Sequence, residues 1–178
     1  MLAAMKPRHG KSMRTRGLTL MELMVTAAIM AFLVVLAAPS FNEFLARGRL
    51  SGAAESLAQD LQLARSEALR RDSDVTLSLS PGGNWCYGAV ASGIACTCTV
   101  ANSCALRQVD NTAYPGVTMA APTFGGNATT FRARQGLVNA GAVELTHPDA
   151  GTLRVSLGAA GQVSICSTAG GLRHHPAC

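Results

Sequence analysis

The sequence has few aromatic residues and few charges, and each scarcity limits what it can encode. Only 4% of its 178 residues are aromatic and 14% are charged. The core must therefore be built mainly from Val, Leu, Ile and Ala, and crosslinks would help to stabilise such a glycine-rich domain. The length is typical of a single domain.

Charges of one sign are missing from parts of the chain. No lysine follows Lys11, and no acidic residue precedes Glu22. Residues 1–17 hold five Lys or Arg, whereas residues 18–178 hold ten Arg and ten Asp or Glu. The net charge of +5 thus comes from the first residues. This placement favours an orientation with the N-terminus in the cytoplasm and the rest exported.

Recognisable catalytic patterns are also missing. Gly10-Lys11-Ser12 is similar to the end of a phosphate-binding loop, but Met5 stands where that loop requires glycine. The chain has no Gly-x-Ser-x-Gly elbow and no carboxylate pair placed beside one of its four histidines. We predict no catalytic residue, no enzyme activity and no cofactor.

One long apolar run is present, and it contains a single charge. It extends from Leu18 to Ala38, directly before Pro39, and Glu22 lies near its start. Twenty-one helical residues span roughly 31 Å, which is enough for a bilayer. A carboxylate at that depth is costly unless it is paired, so Glu22 requires a partner. The alternative is an ordinary signal peptide or a signal anchor, but in a signal peptide Pro39 would directly follow the Ala37-Ala38 cleavage site.

The segment Gly17-Leu18-Thr19-Leu20-Met21-Glu22 resembles the class III signal of type IV prepilins and type II secretion pseudopilins. The resemblance implies that a prepilin peptidase cuts between Gly17 and Leu18 and that Leu18 is then N-methylated. It assigns Glu22 to filament assembly and places Pro39 where many pilin helices carry a proline. One departure is Leu18, which stands where phenylalanine is usual.

A second, amphipathic helical segment follows the apolar run. Apolar residues recur at helical steps at Leu50, Leu57, Leu61, Ala64 and Ala68. Charged residues lie largely elsewhere around the axis, and they are Glu55, Asp60, Arg65, Glu67, Arg70 and Arg71. We predict one long helix over residues 18–71, with Pro39 as a point of kinking or local melting.

Beyond Asp72 the pattern changes to short strands. We predict strands at 75–79, 85–90, 105–109, 117–120, 130–134, 142–146, 153–157 and 162–166, separated by Gly- and Pro-containing turns. A helix followed by runs of strands indicates an α+β fold, with the helix packed on an antiparallel β-sheet. The predicted organisation is a leader (1–17), the helix (18–71, transmembrane over 18–38) and an exported β-rich domain (72–178).

The segment Leu63-Ala64-Arg65-Ser66-Glu67-Ala68 resembles a stretch of the GspH/FimT group of minor pilins and pseudopilins, which includes FimU-like proteins. It follows the prepilin signal at the expected distance. The resemblance is strong over residues 14–71 and weak over 72–178. It implies a type IV pilin-like fold and a structural role.

All six cysteines follow the apolar run, which fits disulfides in an oxidising compartment. We expect Cys166 to pair with Cys178. The other four, Cys86, Cys96, Cys98 and Cys104, should pair among themselves. The alternative is a zinc site formed by Cys166, His174, His175 and Cys178. We prefer the disulfide with two exposed histidines, and we predict no metal.

Some FimT-like minor pilins bind DNA through a Gly-Arg-x-Arg motif near the C-terminus. The matching stretch here begins at Gly161 and has Gln162 and Ser164 in the arginine places. Residues 72–178 hold five Arg against five Asp or Glu. The remaining candidates for a DNA-binding cluster are Arg132, Arg134, Arg154 and Arg173. Because DNA affinity depends on phosphate neutralisation, this balance disfavours DNA as a partner.

The resemblance therefore implies a minor type IV pilin, a structural or priming subunit for pilus assembly, twitching motility and adhesion. A GspH-like pseudopilin of a type II secretion system is the first alternative, and a DNA-binding pilin for natural transformation is the second. The implied partners are other major and minor pilins, the prepilin peptidase and the inner membrane. The implied locations are the inner membrane before assembly and the periplasm and cell-surface pilus afterwards.

Overall fold

The computed structural model describes residues 17, 19–134, 138–168 and 175–178. The chain divides into two compact units, of which the first ends at Pro39 and the second covers Ser40–Cys178. The first unit contributes the N-terminal part of a helix. The second contains the remainder of that helix and all the described strands.

The helix α1 runs from Leu20 to Arg71. The helix is continuous through Pro39, so the chain does not melt locally at that residue. The kink remains a prediction. Within the described residues, no helix combines the length and the apolar character needed to cross a membrane. The predicted span 18–38 includes Leu18 and the side chains of residues 35–38, which lie outside the described part of the chain.

In the described part of the chain eight strands follow α1, one in each region where the sequence predicts a strand. They are β1 (Val75–Ser80), β2 (Cys86–Val90), β3 (Arg107–Asp110), β4 (Thr118–Met119), β5 (Ala128–Phe131), β6 (Gly141–His147), β7 (Gly151–Leu157) and β8 (Val163–Ser167). The α+β fold with antiparallel strands is thereby confirmed. The strand predicted at 130–134 lies earlier in the chain, so Arg132 and Arg134 follow β5 rather than extend it.

The strands form two four-stranded antiparallel sheets, whereas the sequence suggests one. Sheet A has the order β3-β2-β1-β5, and sheet B has the order β4-β6-β7-β8. An isolated bridge joins Gly82, in the β1–β2 turn, to Met119 of β4. Its two backbone hydrogen bonds measure 2.8 and 3.2 Å.

The core of the second unit lies between α1 and the inner faces of both sheets. The predicted helix positions Leu50, Leu57, Leu61, Ala64 and Ala68 are all buried. They belong to one cluster with Leu77 and Phe131 of sheet A, with Trp85 directly before β2, and with residues of sheet B that include Leu145, Leu153 and Val155. The mainly aliphatic core expected from the scarcity of aromatic residues is present, and its buried aromatic residues include Trp85, Tyr87, Phe124 and Phe131.

Candidate functional site

The first turn of α1 contains the candidate assembly residue. The Glu22 backbone N–H donates to the Thr19 side-chain oxygen at 3.2 Å, and the Leu23 N–H donates to the Thr19 carbonyl at 3.2 Å. Thr19 is therefore the N-cap, and Glu22 is the third residue of the helix, where a negative charge is favoured by the helix dipole. Gly17 is exposed, and Leu18 lies outside the described residues.

Residues 20–34 of α1 have an exposed surface that is almost entirely apolar. Every side chain from Leu20 to Val34 is exposed, and Glu22 is the only charged residue among them. A contiguous apolar surface of this kind marks a site of contact with another protein or a membrane. Pro39, the predicted kink, belongs to α1, but its side chain is outside the described set.

Residues 40–71 of α1 are joined to sheet A by a polar contact at Asp60. Its carboxylate accepts a hydrogen bond from the Tyr87 hydroxyl at 2.8 Å and forms an ion pair with the Arg107 guanidinium at 3.1 Å. The Ser56 hydroxyl lies 3.0 Å from the same tyrosine oxygen. Asp60 is buried, which corrects its sequence-based placement among the solvent-facing charges. Its spacing of three from Leu57 is the signal that could have placed it on the buried face.

The electrostatics of this contact favour a neutral tyrosine and a charged arginine. Burial, followed by the neighbouring Asp60 carboxylate, raises the pKa of Tyr87 far above its ordinary value, although the Ser56 hydrogen bond lowers it in part. The hydrogen bond to Asp60 raises the pKa of Arg107. The tyrosine thus remains a hydrogen-bond donor, and the contact serves to fix α1 against sheet A rather than to transfer protons.

The C-terminal residues return to α1 through His175. Its Nε2 lies 2.9 Å from the Ser51 hydroxyl and 3.9 Å from the Glu55 carboxylate. The His175 side chain is only 11% exposed, which corrects the expectation of an exposed histidine; His174 lies outside the described residues. Both oxygens approach the same ring nitrogen, and the Ser51 hydroxyl donates to Glu55. This is not the geometry of a catalytic relay, which needs the acid on the other ring nitrogen.

A disulfide between Cys166 and Cys178 closes the chain just beyond His175. It is the pairing expected from the sequence, and it occupies both thiols of the alternative zinc site. Across the described ranges, no group of histidine, cysteine and acidic side chains has a metal-binding arrangement. The Ser167 N–H donates to the Pro176 carbonyl at 2.8 Å, and the Cys178 N–H donates to the Ser167 carbonyl at 3.1 Å.

The other four cysteines also pair with one another. The bonds are Cys86–Cys98 and Cys96–Cys104, and they hold the segment between β2 and β3 over the outer face of sheet A. Gly88 on β2 makes this close approach possible, because a Cβ at that position would overlap the Cys104 sulfur and carbon. The sequence left this connectivity open.

Two of the arginines considered for DNA are each paired with a carboxylate in the described structure. Arg134, after β5, pairs with Asp72 at 3.6 Å, and Arg154, on β7 of sheet B, pairs with Glu144 at 3.8 Å. Arg132 precedes Arg134 and is itself engaged in an interaction. Arg173 lies outside the described residues. Gln162 lies directly before β8 and Ser164 lies on β8. Both are exposed, and neither carries a charge.

An apolar helix start, an amphipathic continuation and an antiparallel sheet domain packed on it define the pilin class of proteins. The family model for the type II transport protein GspH matches residues 53–170, and the chain belongs to that family. The crystal structure of the type IV minor pilin FimU from Pseudomonas aeruginosa is also similar. It has 25% sequence identity and a TM-score of 0.50, and the match covers 68% of this chain and 91% of that one. No curated protein sequence matches significantly.

Proposed function

We propose that this protein is a minor type IV pilin that serves as a structural or priming subunit of the pilus. The observation that carries the proposal is the apolar surface from Leu20 to Val34, which is exposed around a single carboxylate, Glu22. Such a surface needs a bilayer or neighbouring helices around it. The family and the FimU-like fold support a structural role, and neither is that of an enzyme.

In this proposal the leader is removed, and the start of the helix serves first as a membrane anchor and then as the part that assembles in the filament. The prepilin peptidase cuts between Gly17 and Leu18, and the new amino group of Leu18 is methylated. Residues 18–38 hold the subunit in the inner membrane, with the sheet domain on the periplasmic side, until it enters the filament. There Glu22 pairs with the Leu18 amino group of a neighbouring subunit, because a buried carboxylate without an opposite charge is strongly unfavourable.

Replacement of Glu22 by alanine tests the proposed pairing. The variant should insert in the membrane and be processed normally, because neither step needs the carboxylate, but it should be absent from sheared filaments. Glu43→Ala is the matched control, since Glu43 is an exposed carboxylate on the same helix that pairs with Arg47. Immunoblots of membranes and sheared filaments measure both steps. Filament levels of Glu22→Ala equal to those of Glu43→Ala would contradict the proposal.

Replacement of Gly17 by a bulky residue tests processing separately. A side chain at the cleavage site should obstruct the peptidase, so that uncut precursor accumulates in the inner membrane. The measurement is the mass of the N-terminal peptide, which begins at Leu18 in the processed protein. A variant that is cut at the normal position would remove the basis for the leader assignment.

A GspH-like pseudopilin of a type II secretion system is the second candidate, and the matching family model supports it. The two systems share the helix start, the processing and the sheet domain. They differ in what deletion of the gene abolishes. Loss of surface pili and twitching with normal protein secretion supports the pilus, and the reverse result supports the secretion system.

A further inference from the structure

Just beyond the predicted membrane span, α1 carries three exposed apolar side chains on one face. Phe41 is 60% exposed, Phe44 is 71% exposed and Leu45 is 36% exposed. Steps of three and four residues place these side chains on the same side of a helix, and we name the three residues the anchor stripe. Large apolar groups that are exposed side by side mark a contact with another molecule.

The opposite face of the same helical turns is buried. Ala46 and Leu50 are 3% and 0% exposed. At about 100° per residue, both lie on the far side of the helix from the anchor stripe. Ala46 comes only two residues after Phe44, which is roughly 3 Å along the axis. These turns are therefore apolar on two sides, and the sheet domain covers one of them.

Arginines stand on both sides of the anchor stripe. Arg47 pairs with Glu43, which lies one helical turn earlier. Arg49 is exposed and forms no ion pair with the residues that the structure describes. A helical face of phenylalanine and leucine with arginines beside it is typical of a segment that lies at a membrane surface.

The position in the chain brings the anchor stripe to the level of the lipid headgroups. Phe41 and Phe44 follow Ala38, the last residue of the predicted span, by three and six residues. At about 1.5 Å per residue this is roughly 5–9 Å of helix, and each headgroup layer is roughly 5–8 Å thick. Helical side chains also lean toward the N-terminus of their helix, so both rings reach back toward the hydrocarbon.

Two apolar environments can cover the anchor stripe, namely the lipid boundary and a bundle of neighbouring helices. Arg49 favours the lipid, because the headgroup phosphates offer an anionic partner at this depth. In a bundle of helices the same guanidinium would be costly unless a carboxylate lay beside it.

We propose that the anchor stripe is a second membrane-contact site, separate from the span. Phe41, Phe44 and Leu45 insert at the boundary between headgroups and acyl chains, and Arg49 binds a lipid phosphate. The occupant is phospholipid of the periplasmic leaflet of the inner membrane, before the subunit enters a filament. Because packing on the sheet domain begins at Ala46, the domain is held directly on the membrane surface without a free stalk. The inference rests on the proposed function, which supplies the membrane.

Photocrosslinking in the full-length protein tests the occupant. A photoreactive phenylalanine analogue replaces Phe44 in a strain of the producing bacterium that cannot assemble filaments, and mass spectrometry identifies the adducts. Ile29, exposed within the predicted span, is the positive control. Gln59 is the negative control, because it is exposed about five helical turns after Phe41 and so lies on the same face of α1. We expect phospholipid adducts at positions 29 and 44, and at least about tenfold fewer at position 59.

A charge within the anchor stripe tests the apolar contact. With the photoreactive residue at position 45, Phe44→Asp should lower the yield of lipid adduct about tenfold, because a carboxylate replaces a ring that is buried in lipid. Asn42→Asp adds the same charge at an exposed position beside the stripe and should change the yield by less than about twofold. Disulfide mapping establishes that both variants fold.

The outcomes separate this inference from the proposed function. If position 29 gives no phospholipid adduct, both proposals fail. If position 29 gives the adduct, three results overturn only the anchor stripe: no lipid adduct at position 44, equal yields at 44 and 59, or adducts of 44 with a protein in place of lipid. An unchanged yield in Phe44→Asp also overturns it. Loss of the adduct in Phe44→Asp with retention in Asn42→Asp supports it.

Discussion

At the residue scale, the structure assigns Asp60 a role that the sequence pattern alone did not reveal. Its carboxylate is buried and accepts hydrogen bonds from Tyr87 on β2 and Arg107 on β3. A helical pattern identifies which apolar positions share a face, but it does not identify the partner that allows an acid to join that face. The partners lie 27 and 47 residues further along the chain.

We expect Asp60→Ala to lower the free energy of unfolding by about 2 kcal/mol, because two hydrogen bonds to a charged group are lost. Arg107 is half exposed and regains water, which limits the cost. Urea unfolding of the fragment 40–178 measures the change. Gln59→Ala, at the adjacent exposed position, is the control and should stay within about 0.5 kcal/mol of the wild type. Equal midpoints for the two variants would mean that the Asp60 contact contributes nothing.

A second residue-scale prediction concerns Glu67 near the end of α1. Hydrogen bonds from Arg70 and Arg71 lower the pKa of Glu67 from 4.5 to about 2. Because the pKa of Glu67 is lower in the folded than in the unfolded protein, the ionised Glu67 with its two arginines contributes to stability above about pH 4.5. This contribution disappears as the pH falls toward about 2. NMR titration of the Glu67 carboxyl carbon in the fragment 40–178 should show this low pKa. The double variant Arg70→Gln, Arg71→Gln should return it toward 4.5, and an unchanged titration would refute the cause.

At the element scale, the strands were predictable and their assembly was not. Each strand region has an alternation or turn signal that depends on near neighbours, as in Val75-Thr76-Leu77-Ser78-Leu79 before the Pro81-Gly82 turn. Pairing of β1 with β5 depends on residues about fifty positions apart, with Thr76 opposite Thr130. No local pattern specifies such a partner, and so the division into two sheets appears only in the structure.

The connectivity of the disulfides shows the same limit. Cys166–Cys178 could be predicted because these two cysteines are close together and distant from the other four. Cys86, Cys96, Cys98 and Cys104 can pair in three ways, and their order in the sequence does not choose among them. The choice depends on the path of the segment between β2 and β3 over Gly88, which is a tertiary feature.

We predict that the double variant Cys166→Ser, Cys178→Ser loses about 3 kcal/mol of stability and releases the C-terminal residues from α1. Hydrogen exchange of the fragment 40–178 should then be faster at the Ser167 and Cys178 amides, whose acceptors lie across the closed loop. The Val155 amide in the middle of β7 is the control. Its protection should fall by no more than the loss in the free energy of global unfolding accounts for. Unchanged protection at Ser167 would show that the disulfide does not hold the C-terminus in place.

At the scale of the whole molecule, charge balance predicts weak binding to DNA. Residues 72–178 have equal numbers of arginines and acids, and residues 40–178 have ten arginines against nine acids. Arg134 and Arg154 each face a carboxylate. The fragment 40–178 should therefore shift duplex DNA little at physiological ionic strength. A slope of log affinity against log salt of about −1 to −2 would correspond to one or two phosphate contacts.

The opposite result would identify a DNA receptor. Tight binding with a steep salt slope that flattens in Arg132→Ala, Arg134→Ala or Arg173→Ala would contradict the prediction. Gel shifts at two salt concentrations, with Gln162→Ala as a neutral control, distinguish the two cases. A priming subunit that binds DNA would still be a pilin, so this outcome would extend the proposed function rather than replace it.

The chain crosses repeatedly between the two sheets, and this has a consequence for how the protein can be divided. Strands β1–β3 belong to sheet A, β4 to sheet B, β5 again to sheet A, and β6–β8 to sheet B. A single cut therefore cannot yield two pieces that each contain one complete sheet. A chain ending before Gly141 would leave β4 without its partner β6. We infer that residues 40–178 unfold in one cooperative transition, with Trp85 fluorescence and the backbone circular dichroism changing together.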